Sequence, residues 1–179
     1  MSGLVRRLVA EGLGSVLLAA TVVGSGAMAE RLAAGNVAVA LLANTAATVA
    51  VLAALIALLG PTSGAHFNPV VSVVEAVRRR LAWRDALAYA LVQVPGCCAG
   101  AVLAHLMFGL PAIQVATHVR TGLPQWLSEV VATLGLVLVV LGHRRNEDAP
   151  WMVAAWIGAA SGSPRPRRSR TPPLPWRGH

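Results

Sequence analysis

Four predominantly apolar stretches, each roughly the length of a membrane crossing, constrain this chain more than any motif does. They lie near Leu8–Met28, Val37–Leu59, Ala86–Phe108 and Trp126–Leu141, and a fifth begins near Pro150. A helix needs about 20 apolar residues to cross a hydrocarbon core about 30 Å thick. Composition agrees: 56% of the residues are hydrophobic and 12% charged, with a mean hydropathy of +0.65, against about 25% charged in soluble domains. The chain reads as an all-α membrane protein with the lipid bilayer as its first partner. A signal peptide is the alternative for the first stretch, which Arg6-Arg7 open. That apolar run is too long for one and lacks a convincing cleavage site.

All 15 cationic residues are Arg, the net charge is +8 and the pI is about 11.6. Nucleic acid is not the implied partner, because no basic face with interleaved aromatics occurs. The arginines instead fall at the ends of apolar stretches. A cytoplasmic N-terminus places Arg6, Arg7, Arg78, Arg79, Arg80, Arg84, Arg144 and Arg145 inside and only Arg31 and Arg120 outside, as the positive-inside rule requires. The expectation is a multi-pass protein of the cell membrane. Cys97 and Cys98 are adjacent, so they point to different helix faces and suggest neither a disulfide framework nor a metal site. They read as small packing residues.

Between the second and third long stretches stands Ser63-Gly64-Ala65-His66-Phe67-Asn68-Pro69-Val70-Val71-Ser72. Asn68 is a good N-cap and Pro69 suits the first helical position. A helix from Asn68 to about Val77 rises only about 15 Å. If it crossed, Arg78–Arg80 would emerge outside, so it is expected to enter and return on the cytoplasmic side. Ser63 through Phe67 then read as extended backbone whose carbonyls face a lumen. Irregular backbone at membrane depth is tolerated only where it is buried in protein or lines a cavity. The positive end of the half-helix disfavours cations and leaves neutral solutes as cargo. The competing reading is a loop with an ordinary capped surface helix.

A weak repeat relates Leu8-Val9-Ala10-Glu11-Gly12-Leu13-Gly14-Ser15 to Trp126-Leu127-Ser128-Glu129-Val130-Val131-Ala132-Thr133. Three crossings separate the copies, so they run in opposite directions, as in inverted repeats with a site at their interface. Glu11 and Glu129 are costly in lipid and should face the interior. Either they brace the re-entrant loop or they form a proton- or ion-coupled site; the absence of a partner acid or base in mid-membrane sequence favours the brace.

These residues resemble the aquaporin and aquaglyceroporin (major intrinsic protein) family. The stretch around Asn68-Pro69 is similar to its first Asn-Pro-Ala box, the two Glu segments to the starts of its first and fourth helices, and Tyr89-Ala90-Leu91-Val92-Gln93-Val94-Pro95-Gly96-Cys97-Cys98-Ala99-Gly100-Ala101 to its Gln-x-x-Gly-x-x-x-Gly third helix. The likeness covers about residues 5–160. It implies an inverted-repeat helical bundle and a passive channel for water or small neutral solutes, glycerol-like or otherwise uncharged, with no cofactor, no metal and no catalysis. It implies that Asn68 and Pro69 form half of the central constriction and that the Gly64, Ala65 and His66 carbonyls line the path. Thr48, twenty residues before Asn68, takes the filter position, where a Thr instead of a bulky aromatic widens the opening. Glu11, Glu129 and Gln93 become structural braces, Gly96 and Gly100 helix-packing positions, and a tetrameric homo-oligomer the assembly. Val70 departs from the usual Ala, and Pro95 is expected to kink its helix. His66 is expected to be structural, with His105, His118 and His143 at helix ends or in loops.

On this reading residues 1–108 form a first repeat with its half-helix at 68–77, and 109–160 a partial second. Residues 161–179 hold five Arg and five Pro, a composition expected of a disordered or out-of-frame tail. The Pro172-Pro173-Leu174-Pro175 string is a weak match to a partner motif. A second half-helix and its Arg are not legible, so the chain as written is expected to conduct poorly. Two other functions stay open: a non-conducting product that associates with full-length channels through Gly96 and Gly100, and a gradient-coupled secondary transporter.

Overall fold

A computed structural model describes residues 3–113, 123–142 and 149–160. Within them lie α1 (Gly3–Leu32), α2 (Val37–Ser63), α3 (Pro69–Val77), α4 (Trp83–Met107), α5 (Leu123–Gly142) and α6 (Ala149–Ala160), and no strand. α1, α2 and α4 are each long and apolar enough to cross a membrane. His118, His143 and the tail at 161–179 lie outside the described residues.

Local chemistry sets the boundaries. Asn36 caps α2, its side-chain oxygen accepting from the Ala38 and Val39 amides at 3.1 and 3.2 Å, and the turn before it uses the left-handed Gly35. α2 ends at Gly64, whose φ of 90° is available to glycine at little cost. Asn68 caps α3 through a 2.8 Å bond from the Val70 amide, with Pro69 behind it. α4 runs unbroken through Pro95. That proline is exposed, so the lost backbone bond falls on the outer face of the helix.

α1 is the hub. It packs along α4 on one side and α2 on the other; α3 lies on α4, α6 on α2, and α5 on α6. Arg7 and Asp85 join the starts of α1 and α4 at 2.8 Å, and Arg31 donates to the Phe108 carbonyl at their far ends, so the two helices run parallel. α2 returns between those ends, and α3 leads from the level of Glu11 back to the start of α4. The segment from Gly64 to Arg80 therefore enters and leaves at one end of the bundle.

Beside an apolar core of Leu52, Ala53, Leu55, Ala65, Phe67 and Ala154, the bulkiest buried side chains are mostly polar. The largest fully buried side chains are Tyr89, Gln93, Glu11, Ser15 and Ser72, while Leu42, Leu58 and Leu91 are 66–72% exposed. Tyr89, Gln93, Gly96, Gly100 and Ala104 form one buried stripe on α4. A Cβ on Gly96 would stand 2.9 Å from the Gly12 carbonyl oxygen, and one on Gly100 would strike the Val16 carbonyl and reach 2.9 Å from the Ala19 Cβ. These glycines let α1 and α4 approach backbone to backbone. Both are covered by α1, so they are not free to bind a second chain; the association expected through them is corrected by this packing.

Candidate functional site

The Gly64–Asn68 loop is held by one side chain. Glu11, on α1 and fully buried, accepts from the Ser63 hydroxyl at 2.6 Å and the His66 amide at 3.0 Å through Oε1. Through Oε2 it accepts from the Phe67 amide and from Gln93 Nε2, both at 2.8 Å. Four donors converge on two oxygens. In a low-dielectric interior a carboxylate whose two oxygens are both satisfied specifies geometry strongly.

The backbone bends accordingly. Sequence reasoning made Ser63 to Phe67 extended, and this is corrected: Ser63 is the last residue of α2, and Ala65 and Phe67 are left-handed with φ of 51° and 46°. A left-handed alanine or phenylalanine costs on the order of 1 kcal/mol. That turn is what brings the His66 and Phe67 amides to Glu11. The Ser63 carbonyl is turned inward too, accepting from the Tyr89 hydroxyl at 2.8 Å. Among the described residues no donor reaches the carbonyls of Gly64, Ala65 and His66.

His66 is half-buried. Its ring packs edge-on against Tyr89, with centroids 5.4 Å apart, and its Nδ1 lies 3.0 Å from the Ser72 hydroxyl. A Cβ on Gly64 would stand 3.0 Å from His66 Nε2, so glycine suits the left-handed φ there and also spares the ring a tight contact. Gln93 Nε2 also reaches Ser72 Oγ at 3.3 Å. The Phe67 ring fills the space that a side chain at Gly14 would take. His105 closes the end of α4, its Nδ1 3.2 Å from the Ala112 carbonyl oxygen.

At the tip, Asn68 spends its side-chain oxygen on the α3 cap. Among the described residues nothing accepts from its Nδ2, which stands as a donor at the positive end of a nine-residue helix. Such an end attracts solute oxygens and repels cations.

Thr48 lies apart from this network, on a cavity of about 330 Å³ between α1, α2 and α6. Asn44, Thr45 and Thr48 supply its polar wall, and Leu18, Val22, Leu52 and Ile157 its apolar one. The Thr48 hydroxyl donates to the Asn44 carbonyl at 2.8 Å, which leaves its oxygen able to accept. Leu52 also belongs to the core around Ala65 and Phe67, so the cavity floor rests on the loop. Glu129 lies on α5, and its side chain falls outside what the structure describes.

Sequence reasoning included Tyr89 and Ser72 in its motifs without giving them a role, and missed Asn44, Thr45 and Ile157. The role of Tyr89 was within reach: it precedes Gln93, Gly96 and Gly100 at helical spacing. Asn44, Thr45 and Thr48 share one side of an otherwise apolar helix in the same way. Ile157 carried no local signal.

A family profile described as major intrinsic protein matches residues 1–161. The chain is 55% identical over 159 residues to the aquaglyceroporin AqpS of Rhizobium meliloti, covering 88% of this chain and 68% of that protein. It is 29% identical over 171 residues to the aquaporin AqpM of Methanothermobacter marburgensis, covering 84% and 70%. A shorter match, 35% over 98 residues, links it to the aquaporin NIP1-4 of Oryza sativa, with 54% and 36% covered.

Proposed function

Because the chain belongs to the major intrinsic protein family, we propose that it is a passive transmembrane channel for water or small neutral solutes such as glycerol. The observation that carries this reading is the Asn68 cap. A half-helix begins inside the bundle, its capping residue keeps an amide donor free, and its approach loop is fixed by Glu11. A solute passing Asn68 loses water and regains a donor from Nδ2 and acceptors from the Gly64, Ala65 and His66 carbonyls. The dipole of α3 raises the energy of a cation at the same point.

Thr48 belongs to this reading as the filter residue. Its small side chain and the apolar wall opposite favour a molecule with one hydroxylated and one hydrocarbon edge over water alone. Glu11 and Gln93 act as braces and touch no solute. The arginines at the end shared by the starts of α1 and α4 support a cytoplasmic N-terminus, and the family supports assembly of several copies.

Light scattering from proteoliposomes tests the channel. Glycerol and water flux should be small, as expected of a chain in which a second half-helix is not legible, yet exceed that of protein-free vesicles, rise linearly with the gradient and ignore an imposed pH gradient. Flux equal to that of protein-free vesicles, or uphill accumulation driven by a proton gradient, would overturn the reading. Gradient coupling draws no support from Glu11, since both its oxygens are committed to loop and helix donors.

A further inference from the structure

The cavity beside Thr48 holds a second polar group whose orientation is fixed from another helix. Ser25 on α1 donates to Asn44 Oδ1 at 2.7 Å. The other acceptor in reach of that hydroxyl, the Val22 carbonyl oxygen, is farther off at 3.4 Å, so the hydrogen goes to Asn44, with the amide oxygen turned to Ser25 and Nδ2 left over as a donor. Asn44 lines the cavity and is only partly exposed, and among the described residues none accepts from Nδ2. A half-buried amide donor beside an apolar wall retains a partner only if something in the cavity supplies one.

Asn44 and Thr48 are four residues apart on α2, about 6 Å along the axis. They are electronically opposite. The Thr48 hydrogen is spent on the Asn44 carbonyl, so Thr48 offers an acceptor, while Asn44 offers a donor. A hydroxyl group serves either, and a molecule with two or more hydroxyls spaced along a short chain can hold one group at each station. Across the cavity Leu18 and Ile157 accept its C–H edge.

Resting on the channel reading, we propose that Asn44, oriented by Ser25, is a second specificity-determining residue, selecting small uncharged polyols one helix turn before Thr48. Water makes the same bonds singly and gains nothing from the spacing.

Two measurements on the full chain in proteoliposomes test this. In the first, Asn44→Leu should lower the ratio of glycerol to water permeability about tenfold, the equivalent of one lost hydrogen bond. Ser25→Ala should lower it less, because the amide is kept and only its orientation is freed. A ratio within twofold of the parent for Asn44→Leu would overturn the proposal. The second needs no flux. In a Cys97→Ala/Cys98→Ala background, Asn44→Cys should react with a hydrophilic methanethiosulfonate far faster than the outward-facing Leu42→Cys. Excess glycerol should slow the reaction, and equi-osmolar sucrose should not. Equal reactivity at the two positions, or no glycerol protection, would overturn the proposal. Absent flux with glycerol-protected labelling would refute the channel reading and uphold the Asn44 site.

Discussion

Removing Glu11 should release the loop from the bundle, and the structure fixes how far. Glu11→Ala deprives four donors of their acceptor, but two have substitutes nearby: the Ser63 hydroxyl lies 3.4 Å from the Leu59 carbonyl oxygen and Gln93 Nε2 lies 3.3 Å from Ser72 Oγ. The His66 and Phe67 amides have none among the described residues. At about 1–3 kcal/mol for each orphaned donor, Glu11→Ala should cost about 2–6 kcal/mol. Glu11→Gln is milder. With its nitrogen at the Oε1 position, Ser63 can rotate to accept and only the His66 amide is orphaned. With its nitrogen at the Oε2 position, Gln93 can flip and accept through its Oε1, but its Nε2 then occupies the buried place where Oε1 has no partner, so the Phe67 amide and the Gln93 nitrogen are both orphaned. The first orientation, which orphans one amide, is the cheaper and sets the cost at about 1–3 kcal/mol. Hydrogen exchange at the His66 and Phe67 amides, read by mass spectrometry in nanodiscs, measures this directly. Glu11→Gln should speed exchange in the loop by about 5- to 150-fold, and Glu11→Ala by more. Exchange within twofold of the parent, or a Glu11→Gln effect as large as that of Glu11→Ala, would refute the bracing role.

Gly100→Leu should drive α1 from α4, because its first side-chain atom already meets the Val16 carbonyl. The cost should be about 3 kcal/mol or more, seen as early thermal loss of monodisperse protein in detergent, while Cys98→Leu on the exposed face should leave that temperature unchanged. Thr48→Phe should fill the cavity, reducing glycerol flux at least tenfold with water flux retained; equal loss of both would count against its filter role. Asp85→Asn weakens the 2.8 Å ion pair with the half-exposed Arg7 and should cost only about 0.5–1 kcal/mol, measurable as a small drop in the same thermal assay.

Much of the bundle could be read before any coordinates, for a specific physical reason. Asn68 followed by Pro69 dictates a helix start from the chemistry of those two residues, and α3 begins there. The apolar stretches dictate helices because a bilayer allows little else, and α1, α2 and α4 extend each stretch by only a few residues at most ends. What eluded the sequence was the loop backbone. The left-handed Ala65 and Phe67 are disfavoured locally and exist because Glu11, more than fifty residues earlier, collects their neighbours' amides. No window around residue 65 contains that cause. Tyr89 binding the Ser63 carbonyl eluded it likewise, being a pairing between helices.

The same asymmetry explains how a short half-helix can be placed accurately in a protein whose exposed surface is rich in large apolar side chains. Lipid-facing residues such as Leu42 and Leu91 gain almost nothing by choosing one neighbour over another, since lipid tails are as apolar as they are. Specific placement has to come from the polar minority. Glu11 ties α1 to the loop, Gln93 ties α4 to Glu11 and to Ser72 of α3, and Tyr89 ties α4 to the end of α2. Every element around Asn68 is thereby joined to another by a buried hydrogen bond, and the glycines at 96 and 100 bring α4 close enough for those bonds to form. A change to an outward leucine should therefore leave the position of Asn68 untouched. A change of similar volume at Gln93, such as Gln93→Leu, removes a donor from both Glu11 and Ser72 and should loosen the loop from the α4 side. Faster exchange at the His66 and Phe67 amides in Gln93→Leu, with none in Leu91→Ala, is the outcome expected of this polar frame; the reverse order would place the control in the apolar shell instead.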